Sequence, residues 1–248
     1  MVTLEKAALW TDSRYFLAAG QQLESTPFTL MKDGLPDTPS IGTWLAETLS
    51  ENAKVGIDGS LCTPAMLKML ESELSPRGIS AEQCEDPFNE VWNNRPELPT
   101  DKIEVHPLKY AGESAADKIH RLLGKAHENG CDAMLLTALD EIAWTLNLRG
   151  NDVECNPVFV SYLLLSDRQN VLFVNLAKVS DEVREHLSLS GVETMPYTAV
   201  ADAVKNLHAC RTMISNKANC AIKSLFNDGE CVIMPSIAEE MKAVKNSA

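Results

Sequence analysis

The chain has 248 residues, which exceeds one ordinary domain and leaves room for two. Hydrophobic residues make up 45% and charged residues 23%, a balance typical of a soluble globular protein rather than a disordered one. The formal net charge of -13 would repel phosphate backbones and anionic lipid, so we expect neither nucleic acid nor a membrane as a partner.

The first part of the chain alternates short apolar runs with longer helical patterns. Capping residues mark some of the helix starts, since Ser40 precedes one helical pattern and Thr63 begins another. The predicted elements are a strand at 7–11, a helix at 14–23, a helix after Ser40 that includes Trp44, Leu45 and Leu49, a strand at 54–57, a helix at 63–74 and a weak strand near Ile79.

Residues 93–112 differ in character, because prolines and glycine interrupt them at short intervals. Proline removes a backbone donor and restricts the residue before it, so we expect this segment to break any regular element. The domain boundary is therefore predicted here, with a first domain at 1–95, a linker at 96–112 and a second domain at 113–248.

The second part repeats the alternation of strands and helices. Residues 167–170 separate two apolar runs and predict a hairpin. Such alternation predicts α/β layers in both halves, with a sheet covered by helices. The predicted helices are 114–128, 140–148 with Gly150 just beyond, 180–188, 199–208, 217–225 and 236–246, and the predicted strands are 133–137, 158–165, 171–174, 192–195, 211–214 and 231–234.

The seven cysteines indicate a reducing compartment, because their number is odd and none has CxxC spacing. Several lie among apolar neighbours and predict mostly buried, reduced thiols. Residues 1–9 contain no apolar core of a secretory signal, and no window approaches the roughly 18 apolar residues of a membrane span. A cytoplasmic location is the prediction.

Standard catalytic signatures are missing from the sequence, including GxSxG, GxGxxG, GxxxxGK[ST] and HExxH. His120 and His127 lie seven residues apart on one predicted helix, without a carboxylate at ligand spacing. A metal site needs three or four converging ligands, so surface histidines are the favoured interpretation. An independent enzyme of another type has no motif in its support.

Two segments carry a family resemblance: residues 8–17, which read ALWTDSRYFL, and residues 137–159, which include TALDEIAW and NLRGNDV. They closely resemble the cytosolic Xaa-Pro aminopeptidases (aminopeptidase P) of the creatinase/prolidase-like metallopeptidases. The resemblance implies an α/β fold of two creatinase/prolidase N-terminal-type domains, each a mixed sheet flanked by helices, the first one incomplete at its start. Ser13 stands where family members commonly have glycine.

The resemblance implies a non-catalytic N-terminal portion that scaffolds the enzyme and gates substrate access. In the family, a further domain supplies the ligands for two manganese ions and removes an N-terminal residue before proline. We expect no cofactor in this chain, no activity of the chain alone, and a parent that is a homodimer acting on proline-containing peptides. The alternative is a short isoform that acts as an interaction or regulatory protein.

Arg14 is the substrate-binding candidate. The resemblance implies that this arginine reaches towards the catalytic cleft, and a guanidinium fork suits a peptide carboxylate or carbonyl. The competing interpretation is a surface arginine paired with Asp12, with Asp12 as a helix N-cap.

Asp140, Glu141, Trp144, Arg149 and Asp152 form a second polar and aromatic group. They fit a short helix with Asp140 as N-cap and Gly150 as C-cap, with Trp144 in the core. In the functional interpretation the loop that follows packs on the absent catalytic domain and narrows its entrance. Asp140, Trp144, Arg149 and Asp152 are the candidates for that entrance or interdomain role.

Overall fold

The computed structural model describes residues 1–207 and 211–245 of the chain. The chain divides into two compact units, Met1–Asp86 and Pro87–Ala248. The ends of the predicted helices at 199–208 and 236–246 lie outside the described residues. Both units combine strands with helices, which confirms the predicted α/β class.

The smaller unit contains two pairs of parallel strands. Each pair is connected through a helix, as parallel neighbours require a crossover connection. A 3-10 turn at Ser13–Tyr15 precedes the first helix. The sequence analysis did not predict the second strand. The elements are β1 Ala7–Thr11, α1 Phe16–Gln22, β2 Phe28–Lys32, α2 Ile41–Thr48, β3 Lys54–Asp58, α3 Pro64–Leu74 and β4 Ser80–Cys84.

The core of the smaller unit is built around Trp44, which is 8% exposed. Trp10 meets it edge to face at 5.5 Å between ring centres and donates its indole N–H to the carbonyl of Pro39 at 2.8 Å. A buried indole needs such a partner. The sequence predicts a core position for Trp92 as well, because large aromatic side chains are usually buried. That prediction is wrong, because Trp92 is 44% exposed, with the Arg95 guanidinium 5.2 Å from its ring centre.

The larger unit is organised around a six-stranded mixed sheet with the strand order β10-β9-β8-β6-β11-β12. β8 and β9 are antiparallel neighbours, which confirms the predicted hairpin. Its elements are β5 Glu104–Val105, α4 Leu108–Ala111, α5 Ala115–Glu128, β6 Ala133–Leu136, α6 Leu139–Leu146, β7 Leu148–Arg149, β8 Ser161–Ser166, β9 Asn170–Val174, α7 Asp181–Leu189, β10 Val192–Pro196, α8 Val200–Lys205, β11 Thr212–Ser215, α9 Cys220–Lys223, β12 Cys231–Met234 and α10 Ile237–Ala243.

Both faces of this sheet are covered, so the central strands are apolar on both sides. Leu135 and Leu164 belong to one buried cluster, whereas Leu136 and Leu163 belong to the other. Successive side chains of a strand point to opposite faces, which places neighbouring residues in different clusters. The continuous apolar runs in the sequence are therefore explained by burial on both faces.

The expectation that residues 93–112 break every regular element is wrong in two places. β5 pairs antiparallel with β7, and α4 forms one helical turn that ends at Gly112 in a left-handed conformation. Ile103 is only 2% exposed and belongs to the core of the larger unit. Tertiary pairing therefore orders a segment that was expected, from its prolines, to lack regular structure.

Half of the six described cysteines are buried, namely Cys62, Cys131 and Cys220, whereas Cys84 and Cys155 are exposed. The prediction of mostly buried thiols is therefore only partly confirmed. Among the residues that the structure describes, no helix is both long enough and apolar enough to cross a membrane.

Candidate functional site

The larger unit contains a cleft of about 530 Å³. Its walls come from α4, α5, α6, β7, α10 and the segment 156–158. Three of the predicted site residues line it, namely Asp140, Trp144 and Arg149. The helix α6 and the short strand β7 bring these three residues to one cavity.

Lys118 of α5 lines the cleft, although only 1% of its surface is exposed to solvent. Its ammonium donates hydrogen bonds to the carbonyl of Trp144 at 2.7 Å and to Oδ1 of Asn147 at 2.6 Å. The same nitrogen lies 4.5 Å from the ring centre of Trp144, within cation–π range. Burial lowers the pKa of Lys118 to about 8, because desolvation disfavours the charged form.

Asn147 ends α6 in a left-handed conformation, with φ of 52°. Asparagine tolerates this conformation better than most residues, and its side chain secures the turn. The amide nitrogen Nδ2 donates to the carbonyl of Glu113 at 2.8 Å, while Oδ1 accepts from Lys118. The prediction that Gly150 caps this helix is therefore wrong, as is the prediction of Asp140 as N-cap, since Ala138 holds that position.

Most other charged groups at the cleft are paired. Arg121 donates to both carboxylate oxygens of Glu113 at 2.7 Å, and Lys242 of α10 pairs with Asp140. The His106 ring stacks on Tyr110 at 6.0 Å between centres. Burial lowers the pKa of His106, and the positive charges of Arg149 and Lys118 add to the effect.

Asp152 does not line the cleft with the other predicted residues. Its side chain is fully buried and forms an ion pair with the equally buried ammonium of Lys178. One carboxylate oxygen also accepts the backbone N–H of Val160 at 2.7 Å. These contacts tie the loop before β8 to the 3-10 turn Leu176–Lys178, so in this chain Asp152 holds a loop in place.

A second buried carboxyl group joins α6 to α10. Glu141 is 3% exposed and accepts a hydrogen bond from Oγ of Ser236 at 2.8 Å. Ser236 in turn caps α10 by accepting the N–H of Glu239 at 3.3 Å. Burial raises the pKa of Glu141, and the carboxylates of Asp140 and Glu239 add to the increase.

The raised pKa predicts a pH dependence that the Glu141→Gln variant should lack. In the folded chain the pKa lies above its unfolded value of 4.5, so the stabilisation is complete below pH 4.5 and is lost as pH rises through the folded pKa. We expect the free energy of unfolding of the wild type to rise relative to that of the variant when the pH falls from 7 to 4, because the folded wild type binds this proton more tightly than the unfolded chain does. Urea unfolding at pH 7 and pH 4 measures the free energy of unfolding of both proteins. If wild type and variant differ by the same amount at both pH values, the pKa of Glu141 is not raised in the folded chain.

Arg14 lies in the smaller unit and its side chain is 78% exposed. Its Nε and one terminal nitrogen donate to the two carboxylate oxygens of Asp12 at 3.0 and 2.7 Å. Asp12 also accepts the backbone N–H of Arg14 as N-cap of the 3-10 turn. Hydrogen bonding to Arg14 lowers the pKa of Asp12 to about 2. The contacts within this unit thus match the surface-pair interpretation, and they leave the other guanidinium nitrogen exposed to an incoming group.

The described residues do not fit a metal centre. Across residues 1–207 and 211–245, no group of three or more His, Cys, Asp or Glu side chains could hold a metal ion. Nε2 of His127 instead lies 3.1 Å from a carboxylate oxygen of Asp167.

Three residues of these networks were not predicted from the sequence, namely Lys118, Asn147 and Lys178. For Lys118 a signal existed, because it lies on the apolar face of α5 with Ala115, Ile119, Leu122 and Ala126. A lysine at a core-facing position of an amphipathic helix needs a polar partner. For Lys178 the sequence holds no comparable signal, because this residue lies in a 3-10 turn of three residues, which is too short to show an apolar face.

Comparison with known proteins gives one family. Residues 94–248 match a profile described as "Creatinase/Prolidase N-terminal domain", and residues 1–91 match a second profile with the same description. A probable Xaa-Pro aminopeptidase P of Fusarium vanettenii is 38% identical, and the match covers 100% of this chain and 43% of the relative. Aminopeptidase P2 of Arabidopsis thaliana is 38% identical over 84% of this chain and 30% of its own length.

A solved structure gives the same result. The X-prolyl aminopeptidase of Caenorhabditis elegans, described as a cytosolic enzyme with a di-nuclear active site, matches with a TM-score of 0.93 and 30% identity. The match covers 99% of this chain and 42% of that protein. The chain thus spans less than half the length of these relatives.

Proposed function

Because the chain belongs to the creatinase/prolidase N-terminal domain family, we propose that it is the non-catalytic N-terminal part of a cytoplasmic Xaa-Pro aminopeptidase. The observation that carries the proposal is the match of nearly the whole chain to 42% of a di-nuclear X-prolyl aminopeptidase. Two-metal hydrolysis needs several converging ligands. In this proposal the metals, two manganese ions, are held by the part of the longer protein that this chain does not span, since the chain matches 42% of that relative.

In this proposal the two units scaffold the enzyme and restrict which peptides reach the metals. Arg14 would contribute to substrate binding, because its exposed guanidinium offers donors in a rigid fork that suits a carboxylate or a carbonyl. Its pairing with Asp12 limits the rotamers of the long side chain. Binding of a peptide group to this guanidinium therefore costs less side-chain entropy than binding to an unrestrained arginine would cost.

The substrates proposed for the longer protein are peptides with proline in the second position, and a homodimer is the proposed assembly. The domains that we propose are residues 1–95 and residues 113–248, with a linker at 96–112 between them. Asp140, Trp144 and Arg149 are proposed to face the entrance or another domain, because they line one cleft. Asp152 would act there only indirectly, through the loop that it holds.

The chain alone is expected to hydrolyse nothing. Purified chain is incubated with Arg-Pro-Pro and manganese, with the Caenorhabditis elegans enzyme as positive control, and release of arginine is measured. We expect no release above the uncatalysed background and no retained manganese after dialysis.

Turnover by the chain, or a tightly held manganese pair, would overturn the proposal.

The same assay on the protein encoded by the longer reading frame tests the role of Arg14, with Arg168→Ala as a control for removal of an exposed arginine. A change in kcat/KM for Arg14→Ala equal to that of the control argues against substrate binding by Arg14.

A further inference from the structure

The cleft of the larger unit carries positive charge in a strongly acidic chain. Its lining includes five cationic residues and two acidic ones, whereas the chain as a whole has a net charge of -13. The cationic residues are Lys118, Arg121, Arg149, Lys242 and Lys245, and the acidic ones are Glu113 and Asp140. A low-dielectric cleft lined by one sign of charge concentrates ligands of the opposite sign.

Three of these cations, Lys118, Arg149 and Lys245, lack a carboxylate partner within the part of the chain that the structure describes, and the ammonium of Lys245 donates to the carbonyl of Lys242 at 3.0 Å. Glu113 and Asp140 are used by Arg121 and Lys242, whereas the ammonium of Lys118 meets only neutral oxygens and an aromatic ring. Arg149 is exposed and forms no ion pair with any residue that the structure describes. It lies near enough to Lys118 and His106 for its positive charge to lower the pKa of both.

A buried ammonium without a carboxylate in contact is costly, because the nearby negative charge of Glu113 offsets its desolvation only in part. The network around Lys118 therefore holds a positive charge beneath the cleft at a cost to the fold. An anion that binds beside Arg149 would offset that cost. The guanidinium of Arg149 would contact the ligand directly, while the ammonium of Lys118 would attract it electrostatically without contact.

Apolar side chains form part of the remaining walls. Ala143, Pro157, Val158 and Met241 line the same cleft, together with the half-buried Trp144, whose ring centre lies 4.5 Å from the ammonium of Lys118. Sites with a few polar groups among apolar side chains bind ligands that carry both kinds of group. An inorganic anion would leave these walls without a partner.

We propose that this cleft binds a carboxylate carried by an apolar residue, the chemistry of a peptide C-terminus. The planar carboxylate matches the fork of Arg149, and the adjoining apolar side chain packs on Trp144 and its neighbours. The inference is independent of the proposed function, because it concerns the carboxyl end of a peptide and requires no turnover.

The test uses the full chain and the peptide N-acetyl-Ala-Pro-Leu, with its C-terminal amide as the matched neutral ligand. The acetyl group removes the free amine, so the peptide is no aminopeptidase substrate and its binding is distinguishable from turnover. Isothermal titration should show at least tenfold tighter binding of the acid than of the amide. Arg149→Gln should remove most of that preference, whereas Arg168→Gln, at an exposed arginine elsewhere in the unit, should retain it.

Lys118→Met is the second variant and should weaken binding of the acid about fivefold or more. Because this variant could unfold, circular dichroism and the Arg149→Gln result keep the proposal testable without it. Equal affinity for acid and amide, an unchanged preference in Arg149→Gln, or full displacement of the peptide by equimolar inorganic phosphate would each overturn the proposal.

Discussion

Replacement of Asp152 by asparagine is expected to lower the free energy of unfolding of the larger unit by about 3–5 kcal/mol. The variant keeps an oxygen that can accept the N–H of Val160, but it leaves the ammonium of Lys178 buried without a carboxylate. Removing one partner of a buried ion pair is costly because the other charge remains uncompensated. Urea denaturation followed by circular dichroism measures the loss.

The double variant Asp152→Asn with Lys178→Met should recover a large part of the loss, since no unpaired charge then remains. Glu128→Gln is the control, because Glu128 pairs with Lys125 at 2.7 Å on an exposed face. That change should cost no more than about 0.5 kcal/mol. An Asp152→Asn variant within 1 kcal/mol of the wild type, roughly the size of an ordinary surface effect, would show that the pair does not hold the loop.

Gly150→Ala is expected to destabilise the larger unit by about 1–3 kcal/mol, as overpacking of a buried site does. A methyl group on Gly150 would lie 2.7 Å from Cβ of Phe159 and 2.9 Å from the carbonyl oxygen of Val158. Phe159 is fully buried, and the Gly150 N–H donates to the carbonyl of Pro157 at 3.3 Å. The backbones cannot separate without loss of these contacts. Differential scanning calorimetry should show a lowered melting temperature.

Gly124→Ala is the matched control, because a methyl group there meets no atom within 4 Å. Gly124 lies inside α5, where alanine is the better helix former, so this variant should gain about 0.5–1 kcal/mol. The two glycine variants should therefore shift the melting temperature in opposite directions. Equal shifts of the same sign would contradict the close approach of the two backbones at Gly150.

Local patterns allowed much of the secondary structure to be predicted. The strand β1, the hairpin of β8 and β9, and the helix α5 after its cap Ser114 were all expected, because apolar period, turn residues and caps act over a few neighbouring positions. β2 was missed because its residues are mostly exposed or half-buried and show no clear alternation. β5 was missed because two residues cannot carry a pattern, and only pairing with β7 orders them.

The candidate site was only partly predictable. Asp140, Trp144 and Arg149 were grouped from their proximity in sequence, and they share a cleft because α6 and β7 are adjacent in the chain. Lys118 lies 26 residues before Trp144, and no local pattern indicated that its ammonium would bind the end of α6. The role of Asp152 was likewise hidden, because its partner Lys178 follows a further two strands.

The sequence by itself determined the α/β class, the family and most of the helices and strands, because period and capping are properties of neighbouring residues. Only the tertiary structure decided that Asp152, a predicted entrance residue, is buried and holds a loop in place. It also decided that Lys118 lies beneath the cleft. Burial and charge pairing depend on residues that are distant in the chain. The cost of a desolvated charge is set by whichever groups the fold brings to it.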